Sequence, residues 1–223
     1  MRPLWLLLFA GCAEDRVLLS IPVHVLPSAS TAELDDGVTV ELTAASLTLS
    51  DLRLEGPAQT AARHRPWSLV STAHAHPGHD FAGEVAGELT GTWTVDLLGE
   101  QTLLGDASCY DGEVATARVR LDPDPGVRLE GTATVDGEVR PFAFAVAPDQ
   151  EVTGIAFAAT LDADAVPAGV AVSVDLAHAL SFVDWTTPDG DGDGLLTVGD
   201  GELENTVLFG IVSSPSYSLT LEH

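Results

Sequence analysis

Three of the chain's seven histidines, His74, His76 and His79, fall within six residues of the stretch STAHAHPGHDFAGE (71–84). If SLVSTAHAH ends a strand, His74 and His76 point the same way, because strand side chains alternate. Pro77-Gly78 turns the chain, and His79 then swings back toward them. Three imidazoles so placed suit copper(II) or zinc, with nitrogens at about 2.0–2.1 Å from a zinc ion. Asp80 is a candidate fourth ligand or an acceptor that fixes one ring's tautomer. His24 and His178, on strand-like segments, are more distant candidates. His64, between Arg63 and Arg65, stands in a poor setting for a cation. The alternative is a polar turn whose rings titrate near neutrality.

A second group is denser in oxygen. Residues 189–200 read Asp-Gly-Asp-Gly-Asp-Gly-Leu-Leu-Thr-Val-Gly-Asp. A calcium loop draws oxygen ligands from positions one, three, five, seven, nine and twelve. These are Asp189, Asp191, Asp193, the Leu195 carbonyl, Thr197 (directly or through water) and Asp200. Gly194 takes position six, where the chain must turn sharply, and Leu196 at position eight can anchor the loop to the body of the fold. Three carboxylates at alternate positions repel one another unless a cation sits among them. The stretch resembles an EF-hand loop, and more closely the dockerin-type variant that ends in aspartate. That resemblance covers twelve residues and implies a structural calcium site. A dockerin has two such loops, and here there is one, so docking to a scaffold is not expected. GELENTVLFGI (201–211) predicts an exit helix with Leu203, Val207 and Ile211 on one side. SFVDWTTP, before the loop, reads as a strand running into Pro188 and not as an entering helix.

The elements that carry these groups begin with an export signal. Arg2, the apolar run 4–9 and small residues before Cys12 make a short secretory leader, too short for a permanent span. Leu8-Phe9-Ala10-Gly11-Cys12 resembles a bacterial lipobox, which implies cleavage after residue 11 and lipidation of Cys12. Ala13 in place of aspartate implies the outer membrane or cell surface, with the periplasm as the compartment faced. Met1 leaves with the leader, so no thioether remains for copper(I). Cys109 then has no disulfide partner. DASCYDGE reads as a loop entering a strand, and Cys109 is expected to be buried, the other reading being a metal-ligand thiol.

The whole chain carries a formal charge of −25, from 9 basic and 34 acidic residues, and has no lysine. Such a surface repels nucleic acid and attracts cations. No Gly-x-Ser-x-Gly elbow is present, and no Ser/His/Asp set assembles. The spacing His-x-His-x-x-His is shared with metallo-β-lactamase-like hydrolases, but Gly78 stands where their motif has aspartate, and the alternating helices are missing. The chain is expected not to be an enzyme.

Alternating apolar residues mark strands at 17–26, 38–56, 92–98, 113–122, 127–135, 138–147, 153–162, 169–185 and 216–222. In 38–56 the alternation slips between Leu49 and Leu52. Asp136-Gly137 is a two-residue hairpin signal. Pro141, which cannot donate a ladder hydrogen bond, marks an edge position or a bulge. These signals predict one all-β domain, residues 12–223. It would be an antiparallel β-sandwich of nine or ten strands, with the calcium loop and short helix (189–211) inserted before the last strand.

Within that frame LTLSDLRLEG (47–56), WTVDLL (93–98) and VAVSVDLAHAL (170–180) give the chain a resemblance to the methanobactin-associated periplasmic copper-binding proteins. The resemblance implies copper handling outside the cytoplasm and carries over no site residue. The expectation is therefore an exported, lipid-anchored metal-binding protein. It would bind or deliver copper or zinc through His74, His76 and His79, with calcium stiffening 189–200. The alternative is a calcium-stabilised sandwich that contacts an unidentified protein partner or a glycan.

Overall fold

The computed structural model describes residues 16–57, 84–189, 192–199 and 202–223. The protein is all-β, with two short α-helices among the described residues, and the expected short helix before the last strand is one of them. Twelve strands lie among the described residues, not nine or ten: β1 (Leu18–Val25), β2 (Thr31–Glu33), β3 (Thr39–Glu55), β4 (Val85–Asp96), β5 (Thr102–Tyr110), β6 (Gly112–Leu121), β7 (Val127–Val135), β8 (Glu138–Val146), β9 (Gln150–Leu161), β10 (Gly169–Val174), β11 (Leu196–Thr197) and β12 (Tyr217–Glu222). Helix α1 (Leu176–Leu180) follows β10, and α2 (Leu203–Ile211) follows β11.

The strands form one hydrogen-bonded sheet in the order β11-β8-β7-β3-β4-β5-β1-β10-β12, with β2 on β3 and a branch through β6 to β9. The sheet folds around one apolar core. It is mixed rather than purely antiparallel, because β1–β10 and β11–β8 pair in parallel. Hairpin signals report only on neighbours in sequence. Parallel partners need a long crossover, and the chain between β1 and β10 supplies one.

The branch point is β3. Its first half pairs with β7 through Leu47, and its second half pairs with β6 from Leu49 to Glu55. The register shifts between Ser50 and Leu52, where Asp51 takes φ 48°. This bulge is the physical cause of the slip in the sequence pattern. Leu47 and Leu49 before it, and Leu52 and Leu54 after it, all remain buried. The Asp136-Gly137 turn has φ 51° and 82°, with Val135 paired to Glu138, as a primed hairpin requires. Pro141 sits opposite Thr132 with no break in register, so β8 has no bulge there. Pro141 lies on an edge that only β11 partly covers, and Val139 simply faces solvent.

Three segments depart from expectation. Residues 106–110, read as a loop entering a strand, form the second half of β5. A register shift opposite Val23/His24, with Gly105 at φ 145°, breaks the alternation that would have marked a strand. The first half of β4 was masked by glycines whose missing side chains are filled by neighbours. A Cβ on Gly87 would lie 2.5 Å from Cys109 Sγ, and one on Gly91 would lie 2.4 Å from Trp93 Cζ2. Last, 169–185 is not one strand. β10 ends at Val174, and Asp175 caps α1 by accepting a hydrogen bond from the His178 amide at 3.0 Å. Leu176 and Leu180 fit a period of two as well as a helical i, i+4 pair, and the cap decides between them.

The registers place the chain's landmarks at two ends of the fold. One end gathers residues 17–18, 55–57, 84–85, 110–113 and 161. The other gathers the ends of β1 and β10, the β7–β8 hairpin and α1.

Candidate metal sites

The approach to the acidic loop is held by one cation. Arg140, on β8, donates from both terminal nitrogens, one to the Trp185 carbonyl and one to the Thr187 carbonyl at 2.6 Å. Trp185 is buried against Phe142 and Phe144, with ring centroids 5.1 and 5.8 Å away. Asp184 accepts from the Thr186 hydroxyl at 2.6 Å and the Thr186 amide at 3.0 Å. The hydroxyl bond first, and the amide bond second, hold its carboxyl below the usual range. These contacts fix the stem from which the loop departs.

In the loop, Asp189 folds the chain back over its own carboxylate. Its Oδ1 accepts from the Gly192 amide at 2.9 Å, and its Oδ2 accepts from the Gly194 amide at 2.5 Å. Asp193 Oδ1 accepts from the Leu195 amide at 2.7 Å. Gly192 and Gly194 stand at φ 79° and 86°, the left-handed conformation that glycine adopts without strain. The sharp turn expected at Gly194 is there.

Leu196 is 1 % exposed and pairs with Phe142, and Thr197 pairs with Ala143. The loop is thus stitched to β8 by a two-residue parallel ladder. The next element is the helix read from the sequence, here α2, with Leu203, Val207 and Ile211 buried. α2 packs on α1 so closely that a Cβ on Gly210 would lie 1.9 Å from the Ala179 carbonyl oxygen. No EF-type helix runs straight into the loop. α1 stops at Leu180, and the residues between it and Asp189 are turns, not the expected strand.

Of the expected calcium ligands, Asp189 and Asp193 accept amide hydrogens within the loop, Leu195 donates its amide to Asp193, and Thr197 lies in β11 beside Ala143. Asp191 and Asp200 lie outside the described residues, as do His74, His76, His79 and Cys12. The flanks of the histidine segment, Pro57 and Glu84, are drawn together by a Gly56 amide to Glu84 carbonyl bond of 2.8 Å. They belong to the end of the fold opposite α1. His24 and His178 sit on different elements, β1 and α1. The His178 ring stands edge-on to Phe182, with centroids 5.3 Å apart. Among the described residues, no group of three or more His, Cys, Asp or Glu side chains could hold a metal ion.

Cys109 lies fully buried in β5, facing Gly87, and burial pushes its thiol up to about 11. It stays protonated at neutral pH. The donors of the described loop are carboxylate, carbonyl and hydroxyl oxygens, a set that suits a hard cation and not copper. Sequence reasoning passed over Arg140 and Asp184. The signal that could have found the first is a lone arginine on a short strand of a chain with so few cations.

No family model, curated protein or solved structure matches this chain. Among the described residues no helix is long and apolar enough to cross a membrane.

Proposed function

We propose that this chain is an exported, lipid-anchored metal-binding protein whose sandwich is stabilised by calcium in the loop 189–200. The observation that carries this reading is the wrap of the loop around Asp189. One carboxylate accepts two loop amides, Asp193 accepts a third, and Leu196 pins the turn to β8. Such a wrap keeps two carboxylates within one strand-tethered turn, which supports a reading in which a hard cation of six to eight oxygen ligands joins them. Asp191 and Asp200 complete the set by their positions in the sequence. Calcium there is structural, since every ligand belongs to one local segment. Copper or zinc bound by His74, His76 and His79 is the second half of the proposal, and it rests on their spacing. Cys12 carries the lipid, and the protein faces the periplasm or the cell surface.

A second reading, a calcium-stabilised interaction module without a transition metal, is favoured by one observation. Phe182 and Phe209 pack edge to face at 4.9 Å on the α1–α2 surface, and both are exposed. Metal analysis separates the two. Protein purified without chelator is compared with its His74→Ala/His76→Ala variant. Copper or zinc retained by the first and lost by the second supports the metal-handling reading. Calcium in both with no transition metal in either leaves the interaction module.

A further inference from the structure

Four exposed apolar side chains lie at one end of the sheet, Leu18 and Tyr110 on one face and Val17 and Val85 on the other. Leu18, 61 % exposed, is the cross-strand partner of Tyr110, which is 44 % exposed. Val17 exchanges two hydrogen bonds with Asp111. Its amide donates to the Asp111 carboxylate at 2.8 Å, and its carbonyl accepts from the Asp111 amide at 3.0 Å. Arg16 grips Glu84 with two bonds of 3.0 and 3.1 Å, next to exposed Val85. Gly87 pairs with Cys109, so Val85 falls level with residue 111. Val17, Leu18, Val85 and Tyr110 therefore share one end of the neighbouring strands β4, β5 and β1.

The chain outside this end says what covers the patch. Only four residues lie between Cys12 and Val17, five steps along the chain with a reach of at most about 18 Å. A bilayer holding the lipid of Cys12 is thus within contact range, at the high local concentration that a short tether imposes. A tyrosine among aliphatic residues suits the headgroup level of a bilayer. Glu84, Asp111 and Glu113 at the same end disfavour anionic lipid and leave a zwitterionic surface as the match.

We propose that Val17, Leu18, Val85 and Tyr110 rest on the phospholipid surface. This docking orients the sandwich with the loop 189–200 away from the membrane and the flanks of the histidine segment toward it. The proposal rests on acylation of Cys12.

The test uses the full acylated chain in phosphatidylcholine vesicles that contain doxyl-labelled lipid. A polarity-sensitive fluorophore is attached at Leu18→Cys or, as control, at Val139→Cys near the far hairpin. Docking predicts roughly twofold or greater quenching at residue 18 and none at 139. It also predicts that a label at Val85→Cys loses its quenching in a Leu18→Ser/Tyr110→Ser background that still floats with the vesicles. Co-flotation with equal, negligible quenching at 18 and 139 overturns the docking and leaves the anchor standing. A label at 18 shielded from aqueous quencher but not reached by doxyl lipid assigns the patch to a second copy or a protein partner, which also overturns it. Protein that does not float overturns the anchor and the docking together.

Discussion

Removing Asp189 and Asp193 together separates what the loop's carboxylates do for the chain from what they do for an ion. In the folded loop they accept three amide hydrogens, from Gly192, Gly194 and Leu195. These bonds are solvent-exposed, and the amides rehydrate when the acceptors go, so their loss costs a few tenths of a kcal/mol each, about 1 kcal/mol in all. The ion contributes by mass action. A site with a Kd on the order of 10⁻⁴ M, as in extracellular modules, adds about 2.7 kcal/mol at a hundredfold excess of calcium. A domain of this size shifts by roughly 2–4 °C per kcal/mol. Thermal unfolding followed by circular dichroism should therefore show Asp189→Ala/Asp193→Ala below wild type by about 2–4 °C in EGTA, and by roughly 7–15 °C in about 10 mM calcium. The gap between the two buffers is the signature of the ion. Equal deficits in both buffers would mean that these carboxylates serve only as turn acceptors.

Other perturbations test the scaffold. Arg140→Met removes two bonds to the carbonyls of Trp185 and Thr187, and should cost about 2 kcal/mol in urea unfolding while weakening calcium retention by the loop it steadies. Gly210→Ala drives a Cβ into the Ala179 carbonyl and should cost about 3 kcal/mol, because backbone on both sides must move. Gly87→Ala meets Cys109 Sγ and should cost about 1–3 kcal/mol. In the Cys109→Ala background the same change should cost at least about 1 kcal/mol less, and strict additivity would contradict the contact. Stability against pH should expose the buried thiol. Its folded value lies above the unfolded one, so its contribution is fully present below about pH 9 and is lost as the pH rises through about 11. Wild type should lose stability over that window, and Cys109→Ala should lose measurably less of it.

Much of this fold was legible because its strands obey simple alternation. The Asp51 bulge announced itself as a slip between Leu49 and Leu52, the Asp136-Gly137 turn as a dipeptide, and α2 as Leu203, Val207 and Ile211 on one face. Legibility failed where small residues do structural work through their neighbours. Gly87 and Gly91 look like loop residues, yet each is a space that Cys109 or Trp93 fills. Gly105 erases the pattern of β5 by inserting a bulge. The cap at Asp175 outweighed an alternation that suited strand and helix equally. Parallel pairing of β1 with β10, and of β11 with β8, is set by contacts distant in sequence, which no local pattern encodes. In the candidate site, the positions of Asp189, Gly194 and Leu196 were read from spacing alone. The stem held by Arg140 was not, because an arginine's reach to carbonyls 45 and 47 residues away leaves no local trace.

The central claim is that loop 189–200 captures a hard cation while stitched to the sandwich through Leu196. Calorimetric titration of calcium into chelator-treated protein tests it most directly. The account predicts one calcium per chain with a Kd on the order of 10⁻⁴ M or tighter, and no site in Asp189→Ala/Asp193→Ala. A wild-type protein that takes up no calcium, or a variant that takes it up unchanged, would contradict it.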